Sequence, residues 1–362
     1  MSDIIVNDRY CIEGIVGRGS YGVVCLATDT ETNSKVAIKL EPCKAVSKDL
    51  KHEVELLQRL SDTVGIPRVE WYGRECDYNA MVFDLLGPSL QDLFDRCGRR
   101  FSLKTTLMLA DQLIERMEQI HAKNVVHRDL KPHNLLIGYG DKAHIVHVVD
   151  FGMSKDSIIR KNSHRDILER HGFYGTTRYT SFSSHLEYVR LRICPFLLYS
   201  FHTLTILDQQ EQMPKDDLES IAYILIYFAR GHLPWAGIRG GWEYKVCDHV
   251  GRKKIELSPE EIAAGLPIEF AKHLRYLRSL TWDEPLNYAA LREMYRQLFE
   301  REGFVHDGVF DWNTPQQINH TAPVPDMVAV GKIPDYDPKM EEWPEEGASK
   351  GKQGKWKSTG RR

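Results

Sequence analysis

A short polar stretch in the middle of the chain has the residue types that phosphoryl transfer requires. It reads HRDLKPHN, and a second motif, DFG, follows it. Asp129 can accept the hydrogen bond and the proton of a substrate hydroxyl group, and Lys131 can stabilise the charge of the phosphoryl group in transfer. The oxygen atoms of Asn134 and Asp150 are hard ligands of the kind that Mg²⁺ prefers. These four residues predict a metal-assisted phosphoryl transfer to a hydroxyl group.

An earlier glycine-rich stretch adds a site for the phosphates. Gly17, Gly19 and Gly22 form the pattern G-x-G-x-x-G, and the residues after Gly22 read as a β-strand. A dinucleotide-binding turn would need a helix there, so the pattern favours a hairpin whose main-chain N–H groups approach phosphate oxygens. Lys39 follows in a VAIK strand, and Glu53 lies on the next predicted helix. Such a lysine can simply point to water, but a pair with Glu53 would hold its ammonium group on the α- and β-phosphates of ATP.

Two different kinds of structure must position these residues. The first part of the chain reads mainly as strands with one amphipathic helix, DLKHEVELLQRL, and its last strand, NAMVFDLL, is expected to stop at Gly87-Pro88. The later part reads as helices. One opens with Ser102 as its N-cap, and another, LESIAYILIYFARG, is apolar on all sides and is therefore expected to be buried. This order predicts a two-lobed α+β architecture.

The pattern divides the chain into three regions. Residues 8–86 are the predicted small β-rich N-lobe, and residues 87–313 are the larger helical C-lobe. Residues 314–362 are rich in proline and carry their acidic and basic residues in separate blocks, which predicts a disordered tail.

The composition excludes several classes of protein. The chain is 42% hydrophobic and 27% charged, and its net charge of −3 gives no general attraction to nucleic acid or to a membrane surface. The seven cysteines form no C-x-x-C pair, which favours reduced thiols, and the first residues do not read as a signal peptide. We therefore expect a protein of the cytoplasm, the nucleus or both, without nucleic acid as a partner. We also expect it to be a monomer.

One stretch does not fit an enzyme of this kind. Residues 189–210 read VRLRICPFLLYSFHTLTILDQQ, and the uncharged part, residues 193–207, is shorter than the roughly 20 residues of a membrane-spanning helix. Valine codons begin with GT, glutamine can be encoded by CAG, and the codons between them imply a pyrimidine-rich tract. The segment is therefore predicted to be a retained intron translated in frame. The alternatives are a lineage-specific insertion that folds back on the large lobe, or an apolar run that docks on a membrane or a partner.

The motifs together resemble the casein kinase 1 family of eukaryotic Ser/Thr protein kinases. The resemblance covers about residues 8–313 apart from the apolar segment, and it includes GIPRV, LLGPSLQDLF, FSLKTT, DDLES, LPWAG and FDWN. It implies the bilobal protein kinase fold, ATP and Mg²⁺ as cofactors, and phosphorylation of Ser or Thr in proteins. Acidic or already phosphorylated residues upstream of the target would be preferred.

The resemblance also assigns the nucleotide pocket. Phe83 would be the gatekeeper, bulkier than the family's usual Met, and Asp84 to Leu86 would form the hinge. The adenine ring would lie among Val16, Val24, Ala37 and Leu136. Asp217 would hold the catalytic loop by its main chain, although an aspartate at the start of a helix can also be a cap.

Recognition of a substrate phosphate departs from the family pattern. Arg178 matches the phosphate-binding arginine, but the basic run that normally assists it reads EYKV at residues 243–246. A second anion site would use Arg128, Lys155 and the position of His171, where the family has Lys. We therefore predict that a priming phosphate is recognised more weakly than in the family.

Two functional hypotheses follow. All five catalytic positions are present, which favours an active Ser/Thr kinase: Lys39, Glu53, Asp129, Asn134 and Asp150. The alternative is a kinase-fold binding module, or a misfolded product, that the 189–210 segment has inactivated.

Overall fold

The computed structural model describes residues 4–19, 22–43, 50–156, 175–185, 212–238, 243–281, 284–313 and 328–329. His171, the 189–210 segment and all but two residues of the predicted tail lie outside these ranges.

An antiparallel sheet and one helix form the part of residues 4–84 that the structure describes. The strands are β1 (Ile5–Val6), β2 (Tyr10–Gly19), β3 (Gly22–Asp29), β4 (Lys35–Pro42), β5 (Val69–Glu75) and β6 (Tyr78–Asp84), and their order in the sheet is β1-β2-β3-β4-β6-β5. Helix α1 (Leu50–Arg59) connects β4 to β5. The predicted β-rich region with its single helix is confirmed.

Alternation along β4 places Lys39 on the inner face of this sheet. Ile38 and Leu40 belong to a separate core on the outer face. Lys39 pairs directly with Met81 of β6, and Met81 belongs to the main core that continues beneath α1 and into the helical part. Because directly paired residues project to the same face, Lys39 lies on the side that faces the rest of the molecule.

The second part of the chain is mainly helical. In the described ranges its helices are α2 (Leu90–Arg96), α3 (Leu103–Ala122), α4 (Pro214–Arg230), α5 (Glu243–Glu256), α6 (Pro259–Ile262), α7 (Ile268–Ser279) and α8 (Tyr288–Arg301). The short strands are β7 (Leu86–Ser89), β8 (Val125–Val126), β9 (Leu135–Gly138), β10 (Val146–Val148) and β11 (Lys155–Asp156). They form the small sheets β10-β9-β7 and β11-β8. Within the described ranges, no helix is long and apolar enough to span a membrane.

Helix α4 is the centre of the helical core. All its residues from Asp216 to Ala229 are buried, as its apolar sequence predicts. It ends at Gly231, whose φ of +93° is the left-handed conformation that glycine adopts without steric cost. The predicted cap of α3 is also confirmed, because the hydroxyl group of Ser102 accepts a hydrogen bond of 3.2 Å from the main-chain N–H of Thr105.

The expected end of the sixth strand at Gly87-Pro88 is wrong. β6 already ends at Asp84, and Gly87 and Pro88 lie inside β7, which pairs with β9. A shift in register between Leu86 and Ser89 leaves Pro88 outside the paired positions. Its missing N–H group therefore removes no hydrogen bond between β7 and β9.

Two residues of the predicted disordered tail form a strand. This strand, β12 (Val328–Ala329), pairs antiparallel with Gly14 and Ile15 of β2. For these two residues the expectation of disorder does not hold.

The chain on either side of the 189–210 segment is held together by direct contacts. The side-chain amide of Gln212 donates a hydrogen bond of 2.9 Å to the hydroxyl group of Ser184. The main-chain N–H of Phe182 donates a bond of 3.1 Å to Glu219 on α4. The two flanks therefore meet through residues that do not belong to the segment.

We predict that deletion of residues 189–210 leaves the fold intact. Leu186, Glu187, Tyr188 and Glu211 would remain between His185 and Gln212, enough to join them. The shorter loop lowers the closure entropy, so the free energy of unfolding should rise by about 1–2 kcal/mol. Thermal unfolding of the full-length protein and of the deletion variant measures this difference in stability. A deletion variant that unfolds at a clearly lower temperature would show that the segment is part of the fold.

Candidate active site

Lys39 lies at the centre of a group of carboxylates. Its Nζ atom is 2.6 Å from Oε2 of Glu53 on α1, 3.6 Å from Oδ1 of Asp150 and 3.6 Å from Oε1 of Glu41. Burial by itself would lower the pKa of Lys39, but the three negative charges outweigh it and raise the pKa above the ordinary value of lysine. The predicted Lys39–Glu53 pair is present, and the ammonium group stays charged.

Asp129 is held by contacts to both of its carboxylate oxygens. Lys131 Nζ donates to Oδ2 at 2.7 Å, and the hydroxyl group of Thr176 donates to Oδ1 at 2.8 Å. The side chain of Asp129 is only 6% exposed. Two charge-assisted bonds from opposite sides fix the direction of this carboxylate, so it can receive a hydroxyl proton without first reorienting.

The two predicted metal ligands present oxygen atoms. The amide nitrogen of Asn134 donates to the main-chain carbonyl of Asp129 at 3.0 Å, which leaves its amide oxygen as the free ligand. Asp150 has φ of +65° and stands at the start of a 3-10 turn, Phe151–Met153. The ring of Phe151 is buried and contacts His127 edge-on, with 5.0 Å between ring centroids. This anchor fixes the turn that carries Asp150.

These donors fit magnesium that is shared with phosphate groups. In the described part of the chain no group of three or more His, Cys, Asp or Glu residues could hold a metal by itself. Mg²⁺ is commonly bound by one or two protein oxygens together with substrate phosphates, which is the set that Asn134 and Asp150 offer.

Asp217 fixes the main chain of the catalytic loop. One carboxylate oxygen accepts from the N–H of His127 at 2.7 Å and from Nε2 of His121 at 2.9 Å, and the other accepts from the N–H of Arg128 at 2.9 Å. Burial would raise the pKa of Asp217, but the bonds from His121 and His127 outweigh it and lower the pKa. The helix cap is made by Asp216, whose carboxylate accepts from the N–H of Met213 at 2.6 Å. Asp217 therefore holds the main chain of the catalytic loop, as expected, and it does not act as a plain helix cap.

Arg128 shows that the loop is held against strain. Its φ of +69° is a conformation that a side chain with a Cβ atom rarely adopts, at a cost on the order of 1–3 kcal/mol. The bond from its N–H to Asp217 and a bond of 2.6 Å from its Nε to the carbonyl of Met153 hold it there. The side chain is tied to the turn after Asp150 and is not directed only towards a substrate.

The nucleotide pocket is built from paired strands. Ala37 pairs directly with Phe83, and Leu136 pairs with Ser89. The N–H of Asp84 donates to the carbonyl of Arg68 at 3.1 Å, so the main-chain group that Asp84 can offer to adenine is its carbonyl oxygen. The residues predicted for the adenine pocket and the hinge are partly buried, except for the buried Ala37: Val16, Val24, Phe83, Asp84, Leu85, Leu86 and Leu136.

The glycines of the predicted phosphate-binding hairpin differ in the space that a side chain would find at each position. A Cβ atom on Gly22 would lie 2.2 Å from the carbonyl oxygen of Leu40, so packing against β4 alone excludes any other residue. A Cβ atom on Gly17 would meet Val24 at an ordinary 3.8 Å. Gly19 pairs with Gly22 at the end of the hairpin, and residues 20 and 21 lie outside the described ranges.

The predicted phosphate-binding residues lie on two segments. Arg178 is exposed. It lies in a loop formed by residues 176–180, which we call the 176–180 loop. Lys155 pairs with Val126 in the β11–β8 ladder, two residues before Arg128. His171 and the side chains of residues 243–245 lie outside the described residues.

Comparison with known proteins agrees with this geometry. Residues 10–188 match the model of a family described as the protein kinase domain. This chain contains a protein kinase domain. The kinase match ends at residue 188, immediately before the apolar segment that begins at Val189.

Sequence reasoning missed two groups in this site. Thr176 bonds to Asp129, and His121 bonds to Asp217 on one side and to the hydroxyl group of Tyr288 at 2.8 Å on the other. His121 has a weak signal in the sequence, as a lone histidine at the end of an apolar helix. Thr176 has none, because only the tertiary fold brings its loop to Asp129.

We predict that Thr176→Ala lowers kcat about tenfold and leaves the KM for ATP unchanged. The substitution removes one of the two bonds that orient Asp129, a loss of about 1–1.5 kcal/mol. Thr177→Ala is the matched control, since Thr177 contacts Lys254 through its main-chain carbonyl, which alanine retains. Steady-state kinetics of the three proteins measures the effect. Equal losses in both variants would contradict a role for the Thr176 hydroxyl group.

Proposed function

We propose that this kinase transfers the γ-phosphoryl group of ATP to Ser and Thr residues of protein substrates, in the manner of the casein kinase 1 family. The observation that carries the proposal is the Asp129 carboxylate held between Lys131 and Thr176. Thr176 belongs to the 176–180 loop, which also carries the predicted substrate-binding Arg178. A substrate main chain that binds along this loop would lie close to Asp129, because Thr176 of the loop itself bonds to that carboxylate. A short separation suits the side chains of Ser and Thr better than the long side chain of Tyr.

In the proposed reaction each group has one role. Asp129 orients the substrate hydroxyl group and accepts its proton as the new O–P bond forms. Lys131 stabilises the charge on the phosphoryl oxygens, and Lys39, held by Glu53, binds the α- and β-phosphates. Asn134 and Asp150 would hold Mg²⁺, which would neutralise phosphate charge when bound.

The proposal also covers the type of substrate, the cellular compartment and the oligomeric state. Acidic or phosphorylated substrates would be bound through Arg178, with Arg128 and Lys155 at a second position. The six described cysteines are free thiols, which supports a reducing compartment, the cytoplasm or the nucleus. We propose a monomer, and an inactive binding module remains the alternative outcome of the following test.

Asp150→Ala should lower the rate of label transfer from ATP to casein by about 10²-fold or more, because the metal loses its charged ligand. Asp129→Ala should have an effect of similar size through loss of the proton acceptor. Asp141→Ala, an exposed acid on a nearby turn, is the control and should keep the wild-type rate. Near-wild-type turnover in a clean Asp150→Ala sample would overturn the assignment. An inactive wild-type chain would favour the binding module.

A priming phosphate should increase kcat/KM less than is usual for the casein kinase 1 family. Peptides with and without phosphoserine upstream of the target serine measure the preference. Arg178→Ala should abolish what preference there is, because a charge-assisted bond to phosphate is lost. Arg296→Ala, an exposed arginine on α8, is the charge-matched control. A strong preference that survives Arg178→Ala would place the phosphate site elsewhere.

A further inference from the structure

A buried lysine lies directly beneath the 176–180 loop. Lys254 on α5 is 0% exposed, and its Nζ atom donates to the carbonyl oxygens of Thr177 at 3.0 Å and of Thr180 at 2.5 Å. The indole N–H of Trp235 donates to the carbonyl of Arg178, between them, at 2.9 Å. Three carbonyl groups of one short loop are therefore turned inward and held. Arg178 is exposed on this loop, whereas the next two residues are buried.

Two aromatic rings support the ammonium group. Lys254 Nζ lies 4.9 Å from the ring centroid of Tyr223 and 4.9 Å from that of Trp235. The rings meet edge-to-face at 5.0 Å. Cation–π attraction and the two carbonyl oxygens offset part of the cost of removing the charge from water. A methionine of similar length would fill the space without that cost, so packing alone does not explain a lysine here.

A second layer fixes the lysine and the loop to the core. Arg278 on α7 donates to the carbonyl of Lys254 at 3.1 Å and to the hydroxyl group of Tyr223 at 3.1 Å. Tyr223 donates to Glu219, which also accepts the N–H of Phe182. The end of the loop and its buried anchor therefore share one hydrogen-bonded network.

We propose that Lys254 is a positioning residue for substrate binding, which sets the direction of Arg178 by fixing the carbonyl groups of Thr177 and Thr180 on either side of it. This inference rests on the proposed function, because it assigns the loop to the protein substrate. Lys254 touches neither ATP nor the reacting atoms, so it should act on the KM for the protein substrate.

The titration of Lys254 gives an independent readout. Burial lowers the pKa of Lys254 to about 7, against the opposing effect of Glu219. The groups that face it are Glu219 and Tyr223 on α4, Cys247 on α5, Arg278 on α7 and His185 on the segment after the loop. Burial holds the pKa of His185 well below 6.5 and that of Tyr223 well above 10, so neither changes charge between pH 6.5 and 8.5. Lys254 is charged at the lower end of this range and loses its charge at the upper end.

The test compares full-length Lys254→Met, Lys254→Arg and Lys253→Met. Lys253 is the matched control, since its side chain is about half exposed and pairs with Glu256 within the same helix. With a serine peptide that has Asp and Glu upstream of the target, Lys254→Met should raise the peptide KM about tenfold, the cost of one charge-assisted bond. The KM for ATP should stay within about twofold, and Lys254→Arg should recover part of the loss. An equal rise in both KM values, or no rise, would overturn the proposal.

The pH profile separates positioning from simple support of the fold. In the wild type the peptide KM should rise from pH 6.5 to 8.5, and in Lys254→Met it should be flat. Cys247→Ala, which leaves Lys254 in place, should keep the rise. A rise that persists in Lys254→Met would contradict the assignment.

Amide hydrogen exchange tests whether Lys254 holds the 176–180 loop in place, and this measurement does not depend on catalysis. Lys254→Met should speed exchange in residues 176–182 and leave α3 unchanged. Trp235→Phe loses the bond to Arg178 but keeps an aromatic ring beside Lys254, so it should have a smaller effect in the same place. Unchanged exchange in a folded Lys254→Met protein would overturn the inference even if the chain phosphorylates no peptide. If Lys254→Met does not fold, Trp235→Phe provides the same comparison. If exchange in residues 176–182 changes but the protein has no Ser/Thr kinase activity, the positioning role of Lys254 stands and the proposed function is rejected.

Discussion

The buried carboxylate of Asp217 is the constraint on which the active site depends. It accepts two main-chain N–H groups from the strained catalytic loop and one imidazole N–H from α3. Loss of one partner from a buried charged network of this kind costs about 3–5 kcal/mol. Because Asp217 lies on α4, which is buried from Asp216 to Ala229, the loop that carries Asp129 and Asn134 is held as rigidly as the helical core.

A second constraint connects the two parts of the molecule. Lys39 belongs to the sheet, Glu53 to α1, and Asp150 to a turn that the helical part anchors. One ammonium group is therefore shared between residues from three elements that are far apart in sequence. The position of α1 matters for this reason: a shift that moves Glu53 away would leave Lys39 to its remaining carboxylates, Glu41 and Asp150.

The sequence predicted the parts of the site whose chemistry is local. The HRDLKPHN loop contacts the DFG turn through Arg128, and Lys39 pairs with Glu53 and lies 3.6 Å from Asp150. Of the glycine hairpin, the structure describes the two strands, β2 and β3. The end of the sixth strand was placed wrongly, because a proline can lie in a strand where the register shifts, and register is a property of two strands. Thr176 could not be predicted, since its partner is distant in sequence. Lys254 lies in the polar run GRKKIE and reads as exposed, because the rings that bury it come from α4 and from the turn after it.

The bond between His121 and Tyr288 has a consequence for the position of a proton. Nε2 of His121 faces a carboxylate oxygen of Asp217, so this nitrogen must carry hydrogen. Nδ1 faces the hydroxyl group of Tyr288, which can donate to it. When the imidazole carries a single proton, the two contacts together select the Nε2–H tautomer, because the carboxylate can only accept a hydrogen bond and the hydroxyl group can donate one. A helix that supplies no catalytic side chain thereby determines which nitrogen of the imidazole is protonated, one bond away from the catalytic loop.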